Sequence, residues 1–129
     1  MSKEQIKQLE AGKYVSFATL KRSGDYVSTP VWFAPLDGYY YLFSAEDAGK
    51  VKRLRNFSEA RLAPCTVSGK LKGEFMDTQA YLLESQEDID TALNALHKKY
   101  GLSMKITDFL SGLTGKKDKR AYIRVEIPQ

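Results

Sequence analysis

Apolar and polar positions along this chain predict short strands first and longer helices late. Ser2 to Ala11 sets Ile6 and Leu9 three apart before Gly12, which predicts a short helix with a stop. Lys13 to Leu20 alternates around Val15 and Phe17, and Ser23-Gly24-Asp25 supplies a turn. Tyr26 to Ala34 predicts a second strand closed by Pro35-Leu36-Asp37-Gly38, and Tyr39 to Ser44 a third. The first sixty residues therefore open as an antiparallel meander.

The period then changes. Asp47 to Phe57 places Val51 and Leu54 three apart, which suits a short amphipathic helix. Glu59 to Ser68 and Gly73 to Glu84 return to strand character around the polar turn Ser68-Gly69-Lys70. Ser85 can cap a helix whose stripe is Ile89, Ala92, Leu93, Leu96 and Tyr100, with Gly101 as its stop. Ser103 to Leu113 predicts another helix, and Ala121 to Ile127 a last strand. With no repeat or linker, residues 1–129 read as one domain, mainly β with helices inserted late: a small barrel packed by helices.

Composition narrows the class. The 129 residues are 43% hydrophobic and 28% charged, enough apolar material for one packed core and too much for a disordered tail. No apolar run approaches the ~20 residues that cross a bilayer. Met1-Ser2-Lys3-Glu4-Gln5 lacks the layout of a secretory signal, so a soluble cytoplasmic protein is expected. Cys65 is the sole cysteine, which excludes an internal disulfide and a cysteine-based zinc cluster. The net charge of +4 matters less than its distribution. Lys50, Lys52, Arg53 and Arg55 crowd into six residues without an acid, and Lys116-Lys117-Asp118-Lys119-Arg120 forms a second run.

Side-chain catalysis has few candidates. His97 is the single histidine and sits beside a helical stripe, so a helix-face role outweighs a catalytic one, and one histidine cannot make a metal site. No nucleophile elbow or phosphate-loop motif occurs. If the protein is an enzyme, its chemistry belongs to a bound cofactor. Two strand prolines fit that view. Pro30, in Thr29-Pro30-Val31-Trp32, and Pro64, in Pro64-Cys65-Thr66, cannot donate to a sheet ladder. Each marks an edge or bulge, or a place where a flat ligand lies on the backbone. Cys65 reads as a small buried residue or as a wall of such a pocket, and Trp32 as core or wall. Ser44, ending a strand, then Gly49, then Lys50 and Arg53 on one helix face make a phosphate candidate. A plain solvated basic face has the same spacing.

Taken in order, these segments resemble a known family. Lys13 to Leu20, Thr29-Pro30-Val31-Trp32-Phe33, Gly49 to Asn56, Leu62-Ala63-Pro64-Cys65 and Lys99-Tyr100-Gly101 are similar to the pyridoxamine-phosphate-oxidase-like proteins. Within that class the chain is most similar to small members described as deazaflavin-dependent oxidoreductases. The resemblance implies a six-stranded antiparallel split β-barrel, a homodimer, and FMN or the 8-hydroxy-5-deazaflavin coenzyme at the subunit boundary. It implies that Gly49, Lys50 and Arg53 hold the cofactor phosphate and that Thr29, Pro30, Val31 and Trp32 lie against the ring. Ser44, Pro64, Cys65 and Thr66 would stand near the phosphate or ring. The implied reaction is hydride transfer between cofactor and a small-molecule substrate, or else flavin binding without turnover. One departure stands out: Gly49-Lys50 replaces the Arg-Lys pair of pyridoxamine phosphate oxidases proper. No membrane or nucleic-acid partner is expected, since only Phe57 is aromatic near the basic helix.

Overall fold

The computed structural model describes residues 3–113, 115 and 119–128. Ser2 of the first predicted helix, and Lys116, Lys117 and Asp118 of the second basic run, lie outside the described residues. Helix α1 (Lys3–Ala11) leads into β1 (Val15–Leu20), which pairs antiparallel with β2 (Tyr26–Val31). Gly24 takes a φ of 93° in that turn. A second hairpin joins β3 (Ala34–Leu36) to β4 (Tyr39–Ala45) through Asp37 and Gly38, with φ of 51° and 87°. Positive φ at both central residues matches the right-handed twist of the flanking strands. Then follow α2 (Gly49–Leu54), β5 (Glu59–Pro64), β6 (Met76–Leu83), α3 (Gln86–Tyr100), α4 (Leu102–Leu113) and β7 (Arg120–Glu126).

The seven strands form one antiparallel sheet in the order β2-β1-β5-β6-β7-β4-β3. Laid flat, its edge strands would stand ~29 Å apart at the usual inter-strand spacing. Those edges, β2 and β3, are joined by Trp32 and Phe33 alone, a link of at most ~11 Å. The sheet must therefore curl until its edges meet, and the result is a split barrel. This corrects two expectations. The opening meander is cut, because Trp32 and Phe33 carry the chain from one sheet edge to the other. The strand expected through Ala34 ends at Val31, so the barrel counts seven strands rather than six, β3 being the short addition.

Both strand prolines obey the ladder. Pro30 lies on the edge strand β2 opposite Ser16. Pro64 ends β5 beyond Leu62↔Met76, the last pair of the β5–β6 register, so its missing donor leaves no gap on that side.

Strand alternation sorts the apolar side chains into two clusters. Phe17, Val31, Phe33, Tyr40, Leu42, Leu62, Ile123 and Val125 fill the barrel interior, with Leu9 of α1 and Leu54 of α2 at its margins. Tyr41, Tyr122 and Ala34 face outward and are covered by Ala92, Ala95 and Leu96 of α3 and Met104 of α4. The capping expectation holds: Ser85 Oγ accepts from the Asp88 N–H at 3.1 Å, and Gly101 ends α3 with a φ of 51°. Among the described residues no helix is long and apolar enough to cross a membrane.

Candidate functional site

Helix α2 follows β4 after a three-residue loop and turns Val51 and Leu54 into the barrel margin, as their spacing requires. That register leaves Lys50 and Arg53 together on the other side. Arg53 lies across the helix start: its Nε donates to Thr19 Oγ1 at 2.6 Å, and Nη1 stands 2.8 Å from where a Cβ on Gly49 would be. Gly49 thus leaves room for the guanidinium. Lys50 is half-buried, and its pKa is lowered first by that burial and then by the Arg53 charge. Among the described residues neither cation has a carboxylate partner. Two adjacent, partly desolvated positive charges without an acid are an arrangement an anion would stabilise.

Arg53 also lines a cleft of about 250 Å³, together with Leu20, Lys21, Arg22, Gly49 and Lys52. Lys50 does not line it. Lys21 and Arg22, which come from the β1–β2 turn, were missed by sequence reasoning. They stand some thirty residues from α2 in the chain, and the packing of β1 against that helix, with the Thr19–Arg53 hydrogen bond, brings them together.

Pro30, Val31, Pro64, Cys65 and Thr66 gather at the other end of β1, whereas Ser44 lies on β4 opposite Ala121 of β7. Val15 pairs with Val31 on one side and Pro64 on the other, while Thr29 sits opposite Phe17 midway along the strand. Pro30 meets the Thr66–Lys70 turn, its Cδ 3.7 Å from the Cβ position of Gly69. Alternation divides the group. Val31 joins the interior cluster with Phe17, and Pro30 points outward, where it is exposed. Thr29 Oγ1 is buried without a hydrogen-bond partner. Thr66 Oγ1 is engaged within its own turn by the Lys70 N–H and Ser68 Oγ. Cys65 is buried, which pushes its thiol pKa up, against a smaller opposing pull from Lys72. Ser44 is buried and donates to the Ala45 carbonyl.

Trp32 goes elsewhere. It stacks on Tyr100 at 4.5 Å and meets Phe43 edge-on at 6.3 Å, on the outer side of the sheet under α3. Tyr100 in turn closes the barrel seam. Its hydroxyl accepts from the Phe33 N–H at 2.9 Å and lies 2.6 Å from the Lys13 carbonyl, satisfying backbone that the broken ladder leaves open. Lys99 donates to the Gly12 carbonyl at 3.0 Å and lies over the Phe33 ring; burial brings its pKa down to about 8. His97 is bound to Asp108 at 2.8 Å and so joins α3 to α4, in keeping with a helix-face role. Among the described residues no group of histidine, cysteine or acidic side chains could hold a metal ion.

No protein-family model and no curated protein sequence matches this chain. Solved structures do. The heme storage protein HutZ from Vibrio cholerae superposes with a TM-score of 0.70 at 14% identity, over 98% of this chain and 90% of that one. An FAD-binding protein from Mesorhizobium loti gives 0.69 at 21% identity, over 100% and 91%. A candidate pyridoxamine 5′-phosphate oxidase from Listeria innocua gives 0.62 at 11% identity, over 98% and 91%. At these identities the likeness establishes the fold: a split barrel of the pyridoxamine-phosphate-oxidase-like kind.

Proposed function

We propose that this protein binds a flavin-type cofactor, FMN or the 8-hydroxy-5-deazaflavin coenzyme, and acts as an oxidoreductase on a small molecule, as a homodimer. The observation that carries the reading is the Lys50–Arg53 pair, half-buried and without a carboxylate among the described residues. The residues fit the ligand's polarity in two further ways. Thr29 Oγ1 is a buried hydroxyl with unused bonding capacity. The cations lie at the Thr19 end of β1 and the Pro30–Thr66 group at its Val15 end, ~13 Å apart along the strand. An elongated ligand with an anionic tail and a flat head bridges such a separation.

When bound, the cofactor ring supplies the hydride chemistry. The chain's own tasks are then to bind and orient. Lys50 and Arg53 neutralise the phosphate, and Arg53 is held in place by Thr19. An arriving anion favours the charged form of Lys50, which burial disfavours, so binding should raise its pKa again. Pro30 and the neighbouring Thr66 turn form the outer wall against which the ring is placed, on a strand whose Thr29 and Val31 face the barrel interior. No nucleophile is required. Cytoplasmic placement and the homodimer belong to this reading.

Fluorescence titration with FMN and with the deazaflavin tests it. Lys50→Ala should weaken binding about 10- to 100-fold, the size of a charge-assisted contact, and Lys52→Ala should do less. A larger loss from Lys52→Ala and Arg22→Ala would put the phosphate in the cleft beside the β1–β2 turn. No binding of either cofactor by the wild type would end the proposal. Binding without turnover of the reduced cofactor by any acceptor would favour a flavin-storing module instead. The heme-storage neighbour keeps that alternative in view.

A further inference from the structure

Helix α4 is built inside out. Its inward side holds Met104 but also Asp108, whose carboxylate takes His97 Nε2 at 2.8 Å and Arg120 Nη1 at 2.6 Å. Arg120 Nη2 also donates to Ser111 Oγ at 3.1 Å. Asp108 is 12% exposed and Arg120 4%, so the polar side of this amphipathic helix is the one sealed against the body. Its apolar side faces out: Leu102, Ile106, Phe109, Leu110 and Leu113 are 72, 51, 66, 56 and 71% exposed. Five large apolar side chains on three turns exceed what a soluble monomer normally displays in one patch. Single exposed leucines need no explanation; a continuous stripe does.

The spacing of the stripe selects its partner. Leu102, Ile106, Phe109 and Leu113 stand four, three and four residues apart, the seam of a helix that packs on another helix. We propose that α4 pairs with α4 of a second copy of this chain, the two helices running antiparallel across a two-fold axis. About the midpoint between Ile106 and Phe109, Leu102 then meets the partner's Leu113 and Ile106 the partner's Phe109. Lys105, the one cation of the helix, falls opposite the partner's Leu110. A parallel pair would set Lys105 against itself. A lipid surface fits less well, since helices that lie in a membrane interface carry several lysines or arginines around the apolar side. The stripe supplies part of the ~800 Å² per partner that a stable interface buries, so α4 forms the apolar centre of a larger contact. This rests on the homodimer part of the proposed function and is independent of the flavin.

Light scattering on the full chain at micromolar concentration tests the seam, with circular dichroism as a check on folding. Wild type should weigh twice 14.6 kDa. Phe109→Glu and Ile106→Lys should each weaken dimerisation by about 100-fold or more and leave the fold intact, since both side chains are exposed. The double variant Ile106→Lys/Phe109→Glu should recover the dimer, because antiparallel pairing sets each lysine against a glutamate. Dimers that survive Phe109→Glu would overturn the seam while leaving the homodimer standing. A wild-type monomer would overturn both. A monomer that sediments with anionic phosphatidylserine vesicles, and loses this with Phe109→Glu, would assign the stripe to a lipid surface. FMN titration of the same variants reads the flavin proposal separately.

Discussion

Helices α2 and α4 resolve the same problem in opposite directions. On α2 the apolar residues Val51 and Leu54 go inward and the cations Lys50 and Arg53 stay out, with no carboxylate partner among the described residues. On α4 an ion-paired aspartate goes inward and the apolar stripe stays out. Each helix leaves unsatisfied what its surroundings within the chain could have satisfied. An uncompensated charge asks for a counter-ion and an unburied stripe asks for a surface. The two helices are therefore suited to different ligands, an anion at α2 and a protein at α4.

Four predictions break or sharpen that contrast. The largest concerns the α4 anchor. Asp108→Ala leaves Arg120 buried without its carboxylate, and removing one partner of a buried pair typically costs about 3–5 kcal/mol. Urea unfolding should show a loss near the lower end, because Ser111 and the Phe43 ring still hold the guanidinium. A loss below about 1 kcal/mol would mean that α4 is not anchored through its polar side. Next in size, Tyr100→Phe strips the hydroxyl from the seam beside Phe33 and Lys13, at a cost of about 1–3 kcal/mol by the same measurement. Unchanged stability would show that the strand break at Trp32–Phe33 is satisfied some other way.

At α2 the expected sign reverses. Lys50→Met removes a half-buried charge beside Arg53, so the cofactor-free protein should gain about 0.5–1 kcal/mol while its flavin affinity falls. Lost stability in the cofactor-free form would show Lys50 to be structural. The smallest effect is a pH slope from Lys99. Its pKa falls from 10.5 in the unfolded chain to about 8 in the fold, chiefly through burial and partly countered by Glu10. Between those values the unfolded chain binds more protons, so this lysine makes stability rise with pH; below about 8 the penalty is full. Above pH 10 the buried hydroxyls of Tyr40 and Tyr100, whose pKa values are raised, act in the opposite sense. Thermal melts from pH 8 to 10 should rise for wild type relative to Lys99→Met. Parallel profiles would remove Lys99 as the cause.

Local pattern decided much of this protein. The helix from Ser85 to Gly101 was legible because its cap, its stripe and its stop are all written within seventeen residues. The basic side of α2 was legible for the same reason, since spacing alone sets Lys50 and Arg53 on one face. Six of the seven strands, too, follow from alternation, within a few residues at their ends; the three-residue β3 does not, since Pro35 and Leu36 read as turn. What local pattern cannot contain is pairing between distant segments. The separation of β2 from β3, the placing of Trp32 under α3 and the approach of Lys21 and Arg22 to α2 all follow from sheet order, which joins residues far apart in the chain. The outward stripe of α4 is the clearest case. An amphipathic sequence specifies two faces and says nothing about which one the rest of the molecule will cover. Here Arg120 of β7 chose the polar side, because a buried guanidinium needs its carboxylate more than the barrel needed five more apolar side chains.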